Sequence, residues 1–133
     1  DWFLLASDMT GMAALEVNLE RLPPEAQGHA CIEVLSPEDQ RALAHPDGIQ
    51  IEWIVNPRPS SDRSPLADAV EAVSWRDGRA SAWVATEFAS MRRIRRYLRD
   101  RGLGRDDMYI SSYWKLGDTD EGHKAAKKND GEA

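Results

Sequence analysis

Five short apolar runs, each followed by a stretch with helical spacing or by a polar connection, constrain this chain more than any other feature. Trp2 to Ala6 is apolar throughout, as expected of a strand covered on both faces. From Thr10 to Leu22 the apolar residues Met12, Leu15, Leu19 and Leu22 recur at three- and four-residue spacing until Pro23-Pro24 stops the helix. His29 to Leu35 is the second predicted strand. Ser36 then caps a short helix with Pro37 at its first position and Asp39 completing a capping box. Ile49 to Val55 alternates as a third strand after the Asp47-Gly48 turn. Asn56 to Pro65, rich in Pro and Ser, is the longest loop, and a helix runs from Ser64 or Pro65 to Val73. After Arg76-Asp77-Gly78 come a fourth strand, Ala80 to Ala85, and a helix, Glu87 to Arg101, ended by Gly102. Met108 to Trp114 is the fifth strand, and the polar stretch from Gly117 onward reads as mobile or weakly helical.

Strand and helix alternating through short connections imply an α/β fold: an open, mostly parallel five-stranded sheet with helices on both faces. One domain of 133 residues has room for a substantial core. The net charge of −6 argues against a dedicated nucleic-acid or membrane-surface protein, and no segment has the roughly 18 apolar residues of a membrane span. A single cysteine, Cys31, excludes an internal disulfide and points to a reducing, cytoplasmic compartment. His29, His45 and His123 have no second ligand at metal spacing, and no catalytic triad or Walker lysine motif is present. The chain begins at Asp1 and enters an apolar run at once, which reads as a domain excised from a longer protein.

In open parallel sheets, ligands bind beyond the carboxyl ends of the strands. Ser7, Asp8, Met9, Thr10 and Gly11 follow the first strand, where free N–H groups, a hydroxyl and a glycine suit a phosphate, although Asp8 or Thr10 also suits a simple helix cap. Glu33, Glu38 and Asp39 are acids placed for an adenosine ribose, and Arg41 or Arg58 is a cation for a 2′-phosphate, so NADH and NADPH both stay open. Arg92, Arg93, Arg95, Arg96, Arg99, Arg101 and Arg105 crowd the last helix region, as a solvated face first, as a dock for an acidic partner or a ligand's phosphate or carboxylate second, and as a nucleic-acid surface last. The chain shows no catalytic residue of its own.

Three stretches carry a resemblance: "LLASDMTGMAAL", "IQIEWI" and "AWVATEFASMRRIRRYLRDRGLGRDDMYISSYWKLG". Together they resemble the siderophore-interacting proteins, flavin-dependent ferric-siderophore reductases of the ferredoxin reductase-like superfamily, over roughly Trp2 to Asp130. The match corresponds to that family's C-terminal NAD(P)H-binding domain, here residues 1–117 with a polar tail over 118–133. The family's N-terminal FAD-binding barrel has no counterpart in this chain.

The resemblance implies that Asp8, Met9, Thr10 and Gly11 hold the pyrophosphate of NADH or NADPH and that Glu87 lies near the nicotinamide. Glu33 and Arg58 serve the nucleotide. Tyr113 and Trp114 border a flavin, FAD held mainly by the N-terminal domain, and Lys115 attracts an anionic ferric siderophore. Thr86 stands where that family usually has glycine. The alternatives are a non-catalytic module using the arginine-rich helix and the nucleotide domain of another flavin reductase.

Overall fold

A computed structural model describes residues 1–60, 62–117 and 120–130. The five apolar runs form β1 (Trp2–Ser7), β2 (Gly28–Val34), β3 (Ile49–Val55), β4 (Ala80–Glu87) and β5 (Met108–Trp114). All pair in parallel, in the order β3-β2-β1-β4-β5. The chain therefore steps outward in one direction from β1 to β3, then returns past β1 to β4 and continues outward to β5. The reversal beside β1 creates the switch point at which such sheets open to ligands.

Four helices accompany the strands: α1 (Met12–Arg21), α2 (Pro65–Ala72), α3 (Phe88–Asp100) and α4 (Asp120–Asn129). Alternation in β1 separates two cores. Leu5 joins Met12, Leu15, Leu19 and Ile32 under α1. Leu4 and Ala6 join Leu66, Val70, Ile94 and Leu98 under α2 and α3. The buried residues of α3 are Phe88, Met91, Ile94 and Leu98, the stripe its spacing predicts. Helices thus cover both faces, and β1, paired on each edge, lies in the middle of the sheet.

Local chemistry accounts for where the elements differ from expectation. The first helix opens as a 3-10 turn, Met9–Gly11, before α1, because Asp8 caps that turn rather than a regular helix. Ser36 and Asp39 form the expected capping box, but the helix is a single 3-10 turn, Pro37–Asp39, and irregular chain leads on to β3. β4 runs two residues beyond Ala85, so Glu87 caps α3 instead of opening it. The pairing of β4 with β5 shifts at the end: Thr86 faces Ser112, but Glu87 faces Trp114. Tyr113 is the extra residue of this bulge, a device that re-aims the side chains beyond it.

The polar stretch after Gly117 differs most. Residues 118, 119 and 131–133 lie outside the described residues, but Asp120–Asn129 is the ordered helix α4. Asp130 accepts from Arg92 Nε at 3.1 Å and is also paired with Arg95. Lys127 Nζ donates to the Ser112 carbonyl at 3.1 Å, and buried His123 meets Ser112 Oγ at 2.6 Å. Ion pairs and hydrogen bonds dock this helix, so hydropathy alone does not reveal it.

Candidate site at the carboxyl ends of the strands

Asp8 is the centre of the carboxyl edge. It leaves β1, is 6% exposed, and accepts hydrogen bonds from three segments of the chain. Oδ1 accepts from the Thr10 N–H at 3.0 Å and from the Thr10 hydroxyl. Oδ2 accepts from Thr86 Oγ1 at 3.1 Å, from the Glu87 N–H at 3.1 Å and from the Trp114 indole N–H at 2.7 Å. A buried carboxylate persists only when donors replace its water, and here they come from β4 and β5 as well as from its own turn. The bulge at Tyr113 is what brings Trp114, not its neighbour, into register with Glu87 and within reach of Asp8.

Glu87 is a second staple. Its Oε1 accepts from the Ala89 and Ser90 N–H groups at 3.0 and 3.1 Å, capping α3. Its Oε2 accepts from the Leu116 N–H at 3.2 Å, which ties the chain leaving β5 to the same corner. Two acids therefore lock together the ends of β1, β4 and β5.

The first loop has its own internal bonds. The Asp8 carboxylate is engaged by these donors and braces the edge. Thr10 donates to Asp8 through both its N–H and its hydroxyl. Gly11 is buried, and a Cβ there would lie 2.7 Å from the Ala85 carbonyl oxygen and 3.0 Å from Ala85 Cβ. That glycine lets the turn lean on β4, and close approach of a ligand does not explain it. Met9 is 39% exposed at the rim. These are the internal contacts of the three residues expected to seat a pyrophosphate, Asp8, Thr10 and Gly11.

Beside this closed corner lies a narrow recess of about 10 Å³ lined by Glu33, Asn56, Arg63, Ser64, Glu87 and Trp114, among others. Glu33 accepts from Asn56 Nδ2 at 3.2 Å. Burial pushes the Glu33 carboxyl above its ordinary range, with the Asn56 hydrogen bond acting against the shift and the nearby Asp8 charge adding to it. Ser7 Oγ and Asn56 Oδ1, both at the carboxyl edge, are buried without a hydrogen-bond partner. Unmet acceptors at the mouth of a parallel sheet suit a hydroxyl- or amide-bearing ligand, since each otherwise costs about 1–3 kcal/mol.

The remaining sequence-predicted residues scatter around this cleft. Arg58 is exposed on the loop after β3 and does not line the cleft; Arg63, on the same loop, does. Arg41 is engaged with Glu16 on α1 at 3.1 Å. Trp114 is half-buried and lines the cleft, whereas Tyr113 is 40% exposed. Its neighbour on that strand, Tyr109, stacks on Trp83 at 5.9 Å. Lys115 Nζ lies 5.5 Å from the centre of the Phe88 ring, and the Arg92 guanidinium lies 5.8 Å from the same ring. The two cations thus share one ring where the end of β5 meets α3. Among the described residues no group of three or more His, Cys, Asp or Glu side chains is placed to hold a metal, and no helix is long and apolar enough to cross a membrane.

Sequence reasoning missed Ser7 as an unmet acceptor, together with Asn56 and Arg63. Asn56 directly follows the third strand and opens the long loop, a position that could have marked it. Nothing in the linear order set Arg63 above Arg58.

Comparison with known proteins agrees with this architecture. An uncharacterized protein from Mycobacterium tuberculosis, Rv2895c, is 35% identical over 144 residues, covering 100% of this chain and 51% of its own. The ferric vibriobactin reductase ViuB of Vibrio cholerae is 33% identical over 126 residues, covering 92% of this chain and 46% of its own. The chain spans about half the length of the curated relatives it matches. Among solved structures, a siderophore utilization protein from T. fusca superposes with a TM-score of 0.84 at 30% identity, over 93% of this chain and 48% of that one. The siderophore-interacting protein SipS from Aeromonas hydrophila shares the fold, with a TM-score of 0.86 at 24% identity, over 98% of this chain and 52% of that one. The family description "Siderophore-interacting protein" matches residues 1–117, and the chain belongs to that family.

Proposed function

We propose that residues 1–117 are the NAD(P)H-binding domain of a cytoplasmic, FAD-dependent ferric-siderophore reductase, with FAD held mainly by a further N-terminal domain. The observation that carries this reading is the family match over residues 1–117, joined to a narrow recess at the carboxyl ends of the sheet where an acid, an amide, a cation and an indole meet. Beside it stand two buried oxygens without partners, Ser7 Oγ and Asn56 Oδ1, which a ligand's polar groups would satisfy.

Each side chain then has a physical task. Glu33 and Asn56 accept from ribose hydroxyls, and Arg63 meets a phosphate. Asp8 and Glu87 hold the edge rigid. Trp114, fixed by Asp8, offers its indole as a flat wall where the nicotinamide or flavin ring would lie. When bound, the nicotinamide supplies hydride to the flavin, which supplies single electrons to Fe(III) in the siderophore. Lys115 and Arg92 form a positive margin that raises the encounter rate of an anionic ferric chelate.

Titration with NADPH and NADH, followed by tryptophan fluorescence, tests the nucleotide assignment. Saturable binding of at least one, weakened by Arg63→Gln, is expected; no affinity for either rejects it. In the longer protein, purification with a yellow flavin tests the reductase assignment. Lys115→Glu there is expected to raise KM for an anionic ferric siderophore with little change for the nicotinamide, and an unchanged siderophore KM removes Lys115 from the substrate margin.

A further inference from the structure

A cleft of about 560 Å³ runs along α3, and of its lining residues only Arg92 also borders the site above. Arg92, Arg93, Arg95, Arg96 and Arg99 line it, with Asp100 and Asp130. Such a row of guanidinium groups repels itself, and the chain relieves part of that repulsion internally. Arg93 is bound by Asp68 at 2.7 Å and by Glu71 at 2.9 Å. Arg92 and Arg95 hold the Asp130 carboxylate, whose side chain is 9% exposed. Arg96 and Arg99 are exposed, and no acid among the described residues pairs with either.

Asp130 shows what the cleft accepts: a carboxylate gripped by two arginines of one helix face. Arg96 and Arg99 continue that face, separated by roughly 4.5 Å of helix rise. Two exposed guanidinium groups at this spacing can reach separate carboxylates of one small acid. The surrounding charge favours an anion here although the chain as a whole carries −6.

We infer that this cleft is a binding site for a small oligocarboxylate, which pairs with Arg96 and Arg99 beside the resident carboxylate of Asp130. The site is separate from the nucleotide cleft and does not depend on the function proposed for it. Because Asp130 already occupies Arg92 and Arg95, it restrains the affinity, and its removal strengthens binding.

The test is titration of the whole chain with propane-1,2,3-tricarboxylate, at ionic strength held constant with sodium chloride, followed by NMR of the arginine Nε–H signals. Saturable shifts at Arg96 and Arg99 are expected. Arg96→Gln with Arg99→Gln is expected to weaken binding by about tenfold, and Asp130→Asn to tighten it severalfold, the scale of one or two partly screened ion pairs. Both arginines are exposed, so circular dichroism should show an unchanged fold. Because Asp130→Asn also releases α4, wild-type shifts are read independently of that variant. Three outcomes overturn the inference: absence of shifts in the wild type, shifts retained by the double variant, or an inert tricarboxylate alongside tight binding of a polyglutamate peptide. Stronger binding of pyrophosphate than of the tricarboxylate overturns the carboxylate assignment.

Discussion

Removing the Asp8 carboxylate tests whether it is the brace of the strand ends. In Asp8→Ala, the N–H of Glu87 and the indole N–H of Trp114 lose the acceptor they meet at 3.1 and 2.7 Å. Neither can swing to another partner without moving β4 or β5. Thr86 can rotate its hydroxyl, and the Thr10 N–H lies at the start of a turn, closer to water. Two orphaned, partly buried donors, each at the lower half of about 1–3 kcal/mol, give a loss of about 3 kcal/mol. That is a large part of the 5–15 kcal/mol that holds a domain of this kind together. Asp8→Asn keeps one oxygen for Glu87 and Trp114 and turns its amide toward the Thr10 hydroxyl, so the expected loss is about 2 kcal/mol, mainly from lost charge assistance. Urea unfolding of wild type and both variants measures the order, and hydrogen exchange of the Trp114 indole localises it. An Asp8→Ala variant within about 0.5 kcal/mol of wild type, with that indole still protected, would refute the reasoning; 0.5 kcal/mol is the level of an ordinary surface substitution.

Three further outcomes follow from other parts of the structure. Gly11→Ala forces a methyl against the Ala85 backbone and should cost about 1–3 kcal/mol in urea unfolding, the usual scale of overpacking. Cys31 is fully buried, and burial with the nearby Glu52 charge pushes its thiol up to about 12, so iodoacetamide at mildly alkaline pH should label it only as the protein unfolds. Glu33 holds its proton more tightly folded than unfolded, so its contribution favours the fold below the ordinary carboxyl value and is lost as pH rises through the raised one. Glu33→Gln should therefore gain stability relative to wild type as pH is raised from about 4 to 7, as followed by thermal melts.

How much of the site was legible depended on the range of the interaction involved. Asp8 was singled out because it follows the first strand and Glu33 as an acid near the end of the second, whereas Glu87 and Trp114 came from the family resemblance. Their partners were not singled out. Asp8 reaches Trp114 across 106 residues of sequence, and no local spacing encodes that distance. The same limit concealed the docking of α4, whose Asp130 finds arginines 35 and 38 positions earlier. Arg58 and Arg63 look alike in the chain; only the path of the loop puts the second in the cleft.

The amino-acid sequence alone determined the five strands, the three central helices, their stop signals and the parallel α/β class. Apolar periodicity and turn residues act over a few positions, and burying those faces leaves few arrangements. Tertiary structure decided which polar groups were consumed and which stayed available. Asp8 and Gly11, which look like ligand contacts in the chain, are taken up in bracing and packing, while Ser7 and Asn56 are left with unmet oxygens. A carboxylate or a hydroxyl has the same identity wherever it stands; its role is set by the donors that folding brings within hydrogen-bond reach.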